Sequence, residues 1–221
     1  MRVLIIGGSG RTGKLAIEEL LSRGHTVTAL VRTPTTLKAK PGLTIVQGTP
    51  LKRIDVTNAF KIHSEAPEVV LVTLSAPREN DSPFAKVISP RRMMADSNAN
   101  VTTVMKENGS CKIVVMQALG VGNSWGNLNW AMQLLMKKSN MIYQYDDHNL
   151  VAQEVSDAGV SYVFVRPARL EEGAPKPVKV NLEDGRGVGM MGSITRESVA
   201  RWLVTAVENN TWDGQAPVLT N

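Results

Sequence analysis

Three glycines near the start of the chain have the spacing of a nucleotide-binding turn. Gly7, Gly10 and Gly13 form the pattern G-x-x-G-x-x-G between an apolar run and a helix-like segment. In that setting Gly7 makes a tight turn, Gly10 lets the backbone approach a pyrophosphate, and Gly13 lets the helix pack closely on the strand. The helix N-terminus adds free N–H groups and a partial positive charge. The pattern predicts dinucleotide binding, with a ligand-free glycine turn as the alternative.

The end of the second apolar run favours NADP(H) over NAD(H). Folds that prefer NAD place an Asp or Glu about 20 residues after the glycines, where it binds the ribose 2′-hydroxyl. Here Arg32 and Thr33 follow Val31, and no acidic residue lies nearby. A guanidinium binds a 2′-phosphate through charge-assisted, bidentate hydrogen bonds, whereas a carboxylate repels it. Arg11, in the glycine turn, can approach the same phosphate; for both arginines the alternative is a solvated surface charge.

The elements that must position these residues alternate between apolar runs and helical patterns. The apolar runs are rich in Val, Ile and Leu without a polar alternation, as expected for strands buried on both faces; they cover 2–6, 26–31, 43–46, 69–74, 112–116 and 162–165. Helical patterns cover 13–23, 55–63, 90–108, 130–138, 144–158 and 196–208. This order predicts an α/β fold, a single Rossmann-type doubly wound parallel sheet with helices on both faces.

Composition and charge exclude several classes of protein. A chain of 221 residues suits one domain, which we expect to span 1–221 with a substrate cleft formed by loops 75–94, 118–146 and 168–193. The single cysteine, Cys111, excludes an intramolecular disulfide and fits a reducing, cytoplasmic location. The net charge of +5 is dispersed, so we expect no nucleic-acid partner. No apolar run is long enough to cross a membrane, and we predict no metal site.

Seven segments carry a resemblance over nearly the whole chain: GGSGRTG, VTALVR, VTLSAPREND, KIVVMQALGVG, YDDHNLVAQEVSDAGVSYVFVRPARL, LEDGRG and SITRESVARWLVTAVEN. In these segments the chain resembles atypical short-chain dehydrogenases of the flavin reductase/biliverdin reductase B type, a group that adjoins the NmrA-like proteins. The resemblance implies binding of NADPH and reduction of small planar acceptors such as flavins, tetrapyrroles or quinones. It implies cofactor contacts from Gly7, Ser9, Gly10, Arg11, Thr12, Gly13, Arg32, Leu74, Ser75, Ala76, Pro167 and Ala168. It also places Arg78 near the phosphates or the substrate mouth, unless Arg78 is a solvated loop charge.

The chain departs from typical short-chain dehydrogenases at the catalytic positions. Those enzymes use a Ser after the fifth strand and a Tyr-x-x-x-Lys pair, in which the Lys lowers the pKa of the Tyr. Here Asp147 follows Tyr143 and Asn149 follows Tyr145 at that spacing, so the usual proton relay is absent. Gln117 takes the Ser position, where its amide positions a substrate or merely satisfies backbone groups.

Two further residues are candidates for catalysis. His148 has an imidazole that we expect to titrate near neutrality, which suits a proton donor, although a structural role is the alternative. Arg169 could bind an anionic substrate or stabilise developing negative charge, or it could form a surface salt bridge.

Aromatic and methionine residues indicate a flat, apolar substrate. Trp125 is the favoured pocket or lid residue, and Met132 and Met136 have the spacing of core residues. The other residues considered on the acceptor side are Trp130, Met93, Met94, Met190 and Met191.

The sequence therefore supports an NADPH-dependent oxidoreductase that transfers hydride to a small planar conjugated acceptor of the ketone, quinone or flavin type. One alternative is an NADP-binding sensor or regulatory protein of the NmrA-like type. Another is a Rossmann protein repurposed for non-redox isomerase or dehydratase chemistry. The sequence does not indicate whether the protein is a monomer or an oligomer.

Overall fold

The fold is built from ten strands and six α-helices in the part of the chain that the structure describes. That part of the computed structural model comprises residues 1–109, 112–189 and 192–221. The interpretations of Cys111, Met190 and Met191 concern residues outside these ranges. The strands are β1 (Arg2–Ile6), β2 (Thr26–Val31), β3 (Leu43–Gln47), β4 (Val69–Val72), β5 (Lys112–Met116), β6 (Tyr162–Pro167), β7 (Arg169–Glu171), β8 (Lys179–Asn181), β9 (Ser193–Thr195) and β10 (Val218–Thr220). The helices are α1 (Arg11–Ser22), α2 (Arg53–Phe60), α3 (Met93–Glu107), α4 (Trp130–Lys137), α5 (Met141–Asp157) and α6 (Arg196–Glu208).

Eight strands form one central sheet in the order β3-β2-β1-β4-β5-β6-β10-β8, and β7 pairs with β9 in a small separate sheet. All pairs in the central sheet are parallel except β10 with β8. The chain runs outward from β1 through β2 to β3 and then returns to β4 on the other side of β1. The carboxyl end of β1 is therefore a topological switch point, where ligands bind in open α/β sheets.

Both faces of the sheet are covered, which explains the uninterrupted apolar runs. Val3 and Ile5 of β1 pack with α1 and α6 on one face. Leu4 and Ile6 of the same strand pack with α2, α3 and α5 on the other. Because the central strands β1, β4 and β5 are buried along almost their whole length, their polar residues would have no solvent face to occupy. The predicted α/β sheet with helices on both faces is confirmed.

The structure corrects several details of the predicted elements. The sheet is not wholly parallel, because β8 runs antiparallel to β10. The third helix starts at Met93 rather than at 90, after Arg92 in a left-handed conformation (φ 58°). β4 ends at Val72, so Leu74 lies in the following loop rather than in the strand. That the chain forms one domain with the stated cleft loops stays a prediction. No helix within the described residues is long and apolar enough to cross a membrane.

Candidate functional site

The glycine turn lies at the switch point and is too tightly packed for side chains at two of its three positions. Gly7 has φ +87°, and a Cβ there would lie 2.8 Å from the backbone carbonyl of Thr73. A Cβ on Gly13 would lie 2.3 Å from the Gly7 carbonyl oxygen and 2.9 Å from Thr73 Oγ1. The hydroxyl of Thr73 donates to the Gly7 oxygen at 3.1 Å and ties the turn to β4. The predicted tight turn and close helix packing are confirmed.

The N-terminus of α1 presents its backbone to the same edge. Gly10 is its N-cap residue, no side chain caps the helix, and its first turn contains no acidic residue. A Cβ on Gly10 would meet only the Gly7 oxygen, at 3.3 Å. Ser9 is exposed, whereas Thr12 is buried, so any phosphate contact from Thr12 would come from its backbone N–H. The partial positive charge of the helix is therefore not neutralised by its own first turn, which suits a phosphate.

The two arginines expected near the cofactor differ in their partners. The Arg11 guanidinium lies 3.2 Å from Asp81 and 3.9 Å from Glu172, and all three side chains are exposed. Arg32 is also exposed, and no carboxylate within the described ranges lies at salt-bridge distance from it. Arg32 is thus the more available of the two for an anionic ligand.

The residues expected beside the nicotinamide lie at the carboxyl edge of the same sheet. Leu74, Ser75 and Ala76 follow β4, and Ala168 follows Pro167 at the end of β6. Ser75 is exposed and its hydroxyl accepts a hydrogen bond from Gln144 Nε2 at 3.3 Å. Because β1, β4 and β6 are joined through parallel pairs, these segments and the glycine turn share one edge. The structure thus brings the predicted cofactor residues to one edge.

Gln117 is buried and both ends of its amide are engaged within the chain. Its Nε2 donates to the backbone oxygen of His148 at 3.0 Å, and its Oε1 accepts from Arg166 Nε at 3.4 Å. Only 3% of Gln117 is exposed. These contacts support the alternative in which Gln117 satisfies neighbouring groups, and a catalytic role for it stays a prediction.

His148 lies beside Gln117, in an environment that the sequence did not indicate. It is 3% exposed, and burial lowers the pKa of its imidazole to about 4. The expectation that it titrates near neutrality is therefore wrong, because desolvation disfavours the charged form. Its Nδ1 atom is buried without a hydrogen-bond partner in the described part of the chain. A neutral, enclosed imidazole does not favour the proposed role as an acid.

The neighbouring Asp147 explains part of the DDH segment. Its two carboxylate oxygens accept hydrogen bonds from the backbone N–H groups of Met94 and Ala95, at 2.8 and 2.9 Å. Burial raises the pKa of Asp147, while these two bonds act in the opposite direction. The carboxylate therefore caps α3 from a distant helix.

Arg169 lies on β7, and among the described residues its side chain makes no hydrogen bond to Gln117 or His148. Its guanidinium pairs with Glu171 on the same strand, and more than half of the side chain is exposed. This contact supports the alternative in which Arg169 forms a surface salt bridge. Catalysis by Arg169 stays a prediction.

Tyr145 occupies the region where the missing proton relay would be expected. Its hydroxyl donates to the backbone oxygen of Leu119 at 3.2 Å. Burial raises the pKa of Tyr145 to about 12, although the positive charge of Arg78 lowers it in part. Arg78 Nη1 is itself buried without a partner among the described residues.

Trp125, the predicted pocket or lid residue, belongs to a small separate apolar cluster. Trp125 packs edge-on against Tyr145, with ring centroids 6.3 Å apart. Met132 and Met136 belong to this cluster, which confirms that they are packing residues. Met94, in the first turn of α3, is fully buried, whereas 77% of Trp130 is exposed.

Two surface cavities lie away from this edge. One, of about 390 Å³, is beside Trp202, and the other, of about 370 Å³, is beside Thr26. The first cavity includes residues 175–178 of the predicted cleft loop 168–193, but neither cavity is lined by a residue named above as a cofactor or catalytic candidate.

Sequence reasoning overlooked Arg166, the side chain that contacts Gln117. It is 5% exposed on β6. The available signal was a charged residue inside the apolar run YVFVRP, since a buried charge requires partners.

A family model described as NAD(P)H-binding matches residues 7–210, which is most of the chain. The chain belongs to this family. The glycine turn, the uncapped N-terminus of α1 and the shared carboxyl edge of this NAD(P)H-binding protein fit a nicotinamide dinucleotide. The predicted NAD(P)-binding Rossmann domain is confirmed, and it fits the resemblance to atypical short-chain dehydrogenases.

Two curated proteins give further sequence similarity. An uncharacterized chloroplastic protein of Arabidopsis thaliana is 27% identical and is matched over 93% of this chain and 71% of its own length. A 3-beta-hydroxysteroid dehydrogenase of Mycolicibacterium neoaurum is 46% identical over 57 residues, which cover 26% of this chain and 14% of that protein.

Solved structures agree with the fold. The anaerobilin reductase ChuY of Escherichia coli O157:H7 superposes with a TM-score of 0.77 at 17% identity, covering 100% of this chain and 97% of its own. A short-chain dehydrogenase/reductase of Veillonella parvula in complex with NADP gives a TM-score of 0.77 at 12% identity, covering 100% and 94%. At these identities the comparisons show the Rossmann-type fold alone.

Proposed function

We propose that this NAD(P)H-binding protein is an NADPH-dependent reductase that transfers hydride to a small planar conjugated acceptor of the ketone, quinone or flavin type. The observation that carries the proposal is the set of groups suited to anions at the carboxyl edge of the sheet, beside the switch point. There, the uncapped N-terminus of α1 and the exposed guanidinium of Arg32 offer separate sites for a pyrophosphate and for a 2′-phosphate. The names of two structural neighbours, a reductase and a protein in complex with NADP, support it.

The chain's own groups would hold the dinucleotide along this edge. The backbone of Gly7, Gly10 and the first turn of α1 would bind the pyrophosphate. The loop at 74–76 and the segment at 167–168 would flank the nicotinamide. When bound, NADPH supplies the hydride.

The side chains in this region are poorly suited to donate a proton to the acceptor, so the proposed mechanism needs another proton source. The imidazole of His148 is buried and neutral, and the hydroxyl of Tyr145 is already donated to Leu119. The amide of Gln117 is engaged at both ends. We therefore propose that the chain mainly orients the acceptor and that water supplies the proton that completes the reduction. Arg78 would stabilise negative charge that develops on the acceptor.

The second candidate function is an NADP-binding sensor or regulator. It is favoured by the burial of Gln117 and His148, since the amide of Gln117 is engaged at both ends and the buried imidazole of His148 is neutral, so neither suits a general acid. A sensor needs the dinucleotide site but no turnover.

The deciding experiment measures binding and turnover on the purified protein. NADPH and NADH are titrated by fluorescence, and oxidation of NADPH is then followed by its absorbance with a panel of quinones and flavins. We expect tight binding of NADPH with acceptor-dependent oxidation. Tight binding without oxidation by any acceptor would overturn the reductase in favour of the sensor. A reaction that proceeds without reduced nucleotide would favour isomerase or dehydratase chemistry.

Replacing Arg32 with serine is expected to weaken NADPH binding by about 10–100-fold, because a charge-assisted pair with phosphate contributes roughly 1.5–3 kcal/mol. The affinity for NADH should change by less than about twofold, since NADH has no 2′-phosphate. The measurement is the dissociation constant for each nucleotide. Lys106→Ser is the matched control, because it removes an exposed positive charge from the far end of α3. Equal losses for both nucleotides would contradict the role of Arg32.

A further inference from the structure

Arg166 is a buried cation whose hydrogen bonds reach three separate segments. Its Nη1 donates to Asn123 Oδ1 at 2.5 Å and to the backbone oxygen of Glu183 at 3.3 Å. Its Nε donates to Gln117 Oε1 at 3.4 Å. A Cβ on Gly122 would lie 2.9 Å from Nη2, so the backbone of that residue packs directly on the guanidinium. The side chain therefore joins the end of β5 to two loops that are distant from each other in sequence.

These two loops are also joined to each other around Arg166. We call them the tryptophan loop (119–128) and the acidic loop (182–187). Asn127 Nδ2 donates to the backbone oxygen of Asp184 at 2.9 Å. A Cβ on Gly185 would lie 2.7 Å from a methyl carbon of Leu119. The tryptophan loop is tied to α5 as well, because the backbone N–H of Gly122 donates to Asn149 Oδ1 at 2.8 Å.

Stability alone is a poor explanation for a guanidinium at this place. Burial lowers the pKa of Arg166, and the carboxylate that acts on it is that of Glu183. Glu183 Oε1 accepts from the backbone N–H of Ala216 at 2.6 Å, so this carboxylate is shared. The remaining partners of Arg166 are neutral. Apolar side chains of similar volume often replace buried ionic groups without loss of stability. What an apolar side chain lacks is the planar fork of donors that fixes the directions of several partners.

We propose that Arg166 is a positioning residue that holds the tryptophan and acidic loops in one arrangement and thereby shapes the acceptor side of the site. This inference rests on the proposed function and on the predicted cleft loops 118–146 and 168–193, which contain the tryptophan loop and the acidic loop. Arg166 directly precedes the segment at 167–168, but none of the described partners of its side chain belongs to that segment, to the glycine turn or to the loop after β4. We therefore expect replacement of this side chain to affect the acceptor and to leave dinucleotide binding unchanged.

The test compares Arg166→Met and Arg166→Lys with the wild-type protein. Amide hydrogen exchange is measured in both loops, together with the affinity for NADPH and the kcat and KM for the best acceptor. Arg201→Met is the matched control, because Arg201 is exposed on α6 and its ion pairs with other described residues are long, at 3.8 and 3.9 Å.

For Arg166→Met we expect exchange in both loops to rise by about tenfold or more, which corresponds to easier local opening. The acceptor KM should rise by roughly tenfold with a smaller change in kcat, as for lost acceptor positioning. Affinity for NADPH should stay within about twofold. Arg166→Lys should recover part of the loop protection, because it keeps the charge but loses the fork.

Unchanged loop exchange in a folded Arg166→Met variant would overturn the proposal, whatever the activity. A loss of NADPH affinity as large as the rise in KM would also overturn it, since the effect would not be confined to the acceptor. If the wild-type protein turns over no acceptor, the proposed function fails, while the exchange measurement still decides the role of Arg166. If Arg166→Met does not fold, Asn123→Ala removes one bond from the loop side and must raise exchange in the tryptophan loop.

Discussion

Replacing Gly13 with alanine is expected to destabilise the fold by about 3 kcal/mol and to abolish dinucleotide binding at the same time. The added Cβ would lie 2.3 Å from the Gly7 oxygen and 2.9 Å from Thr73 Oγ1. The first contact is with backbone, which cannot rotate away as a side chain does, so α1 must move or the turn must open. Urea unfolding measures the first effect and NADPH titration the second.

Gly10→Ala is the matched variant, because it changes the same turn with much less crowding than Gly13→Ala. A Cβ there meets only the Gly7 oxygen, at 3.3 Å. Its unfolding free energy should change by less than about 1 kcal/mol. Its affinity for NADPH should nevertheless fall by roughly tenfold or more, because the Cβ projects where the pyrophosphate is expected. Normal NADPH binding by Gly10→Ala, or wild-type stability of Gly13→Ala, would contradict this account of the turn.

The long elements were predictable because each is specified by its own local pattern. Strands buried on both faces need an uninterrupted apolar run, and those runs recovered β1 to β6. The strands β7 to β10 are three residues each and were missed. A strand of three residues is too short to show a periodic pattern. β10 is a strand because it pairs with β6 on one side and with β8 on the other. Such strands are defined by tertiary pairing rather than by local sequence.

The same distinction separates the two halves of the candidate site. The glycine turn is local, since one short motif contains the turn, the close packing and the helix N-terminus. The environment of Gln117 is not local, because its amide partners are Arg166 and the backbone of His148. Whether a polar side chain faces a substrate or a buried partner depends on segments far along the chain. The sequence could name Gln117 and His148 as neighbours of the site but could not predict their burial.

His148 should make the protein sensitive to mild acid. Its pKa is lowered by burial to about 4 in the folded protein, against an ordinary value of 6.5. Between these values the unfolded chain binds a proton that the folded chain does not, so the free energy of unfolding falls as the pH falls from 6.5 toward 4. The lost stability is on the order of 3 kcal/mol, since each pKa unit between 6.5 and about 4 corresponds to about 1.4 kcal/mol. Asp147 acts in the opposite sense from about pH 3.8 upward, because burial raises its pKa above 3.8 in the fold.

Urea unfolding at several pH values between 4 and 7 tests this, with His148→Gln as the informative variant. The variant removes the titrating group, so its unfolding free energy should lose most of the pH dependence over this range even if its stability at neutral pH is lower. His63→Gln is the control, because His63 is exposed and its replacement should leave the wild-type profile intact. Parallel profiles for the wild-type protein and His148→Gln would show that His148 accepts its proton in the folded state. The imidazole would then be accessible to solvent, and its assignment as a proton donor would regain support.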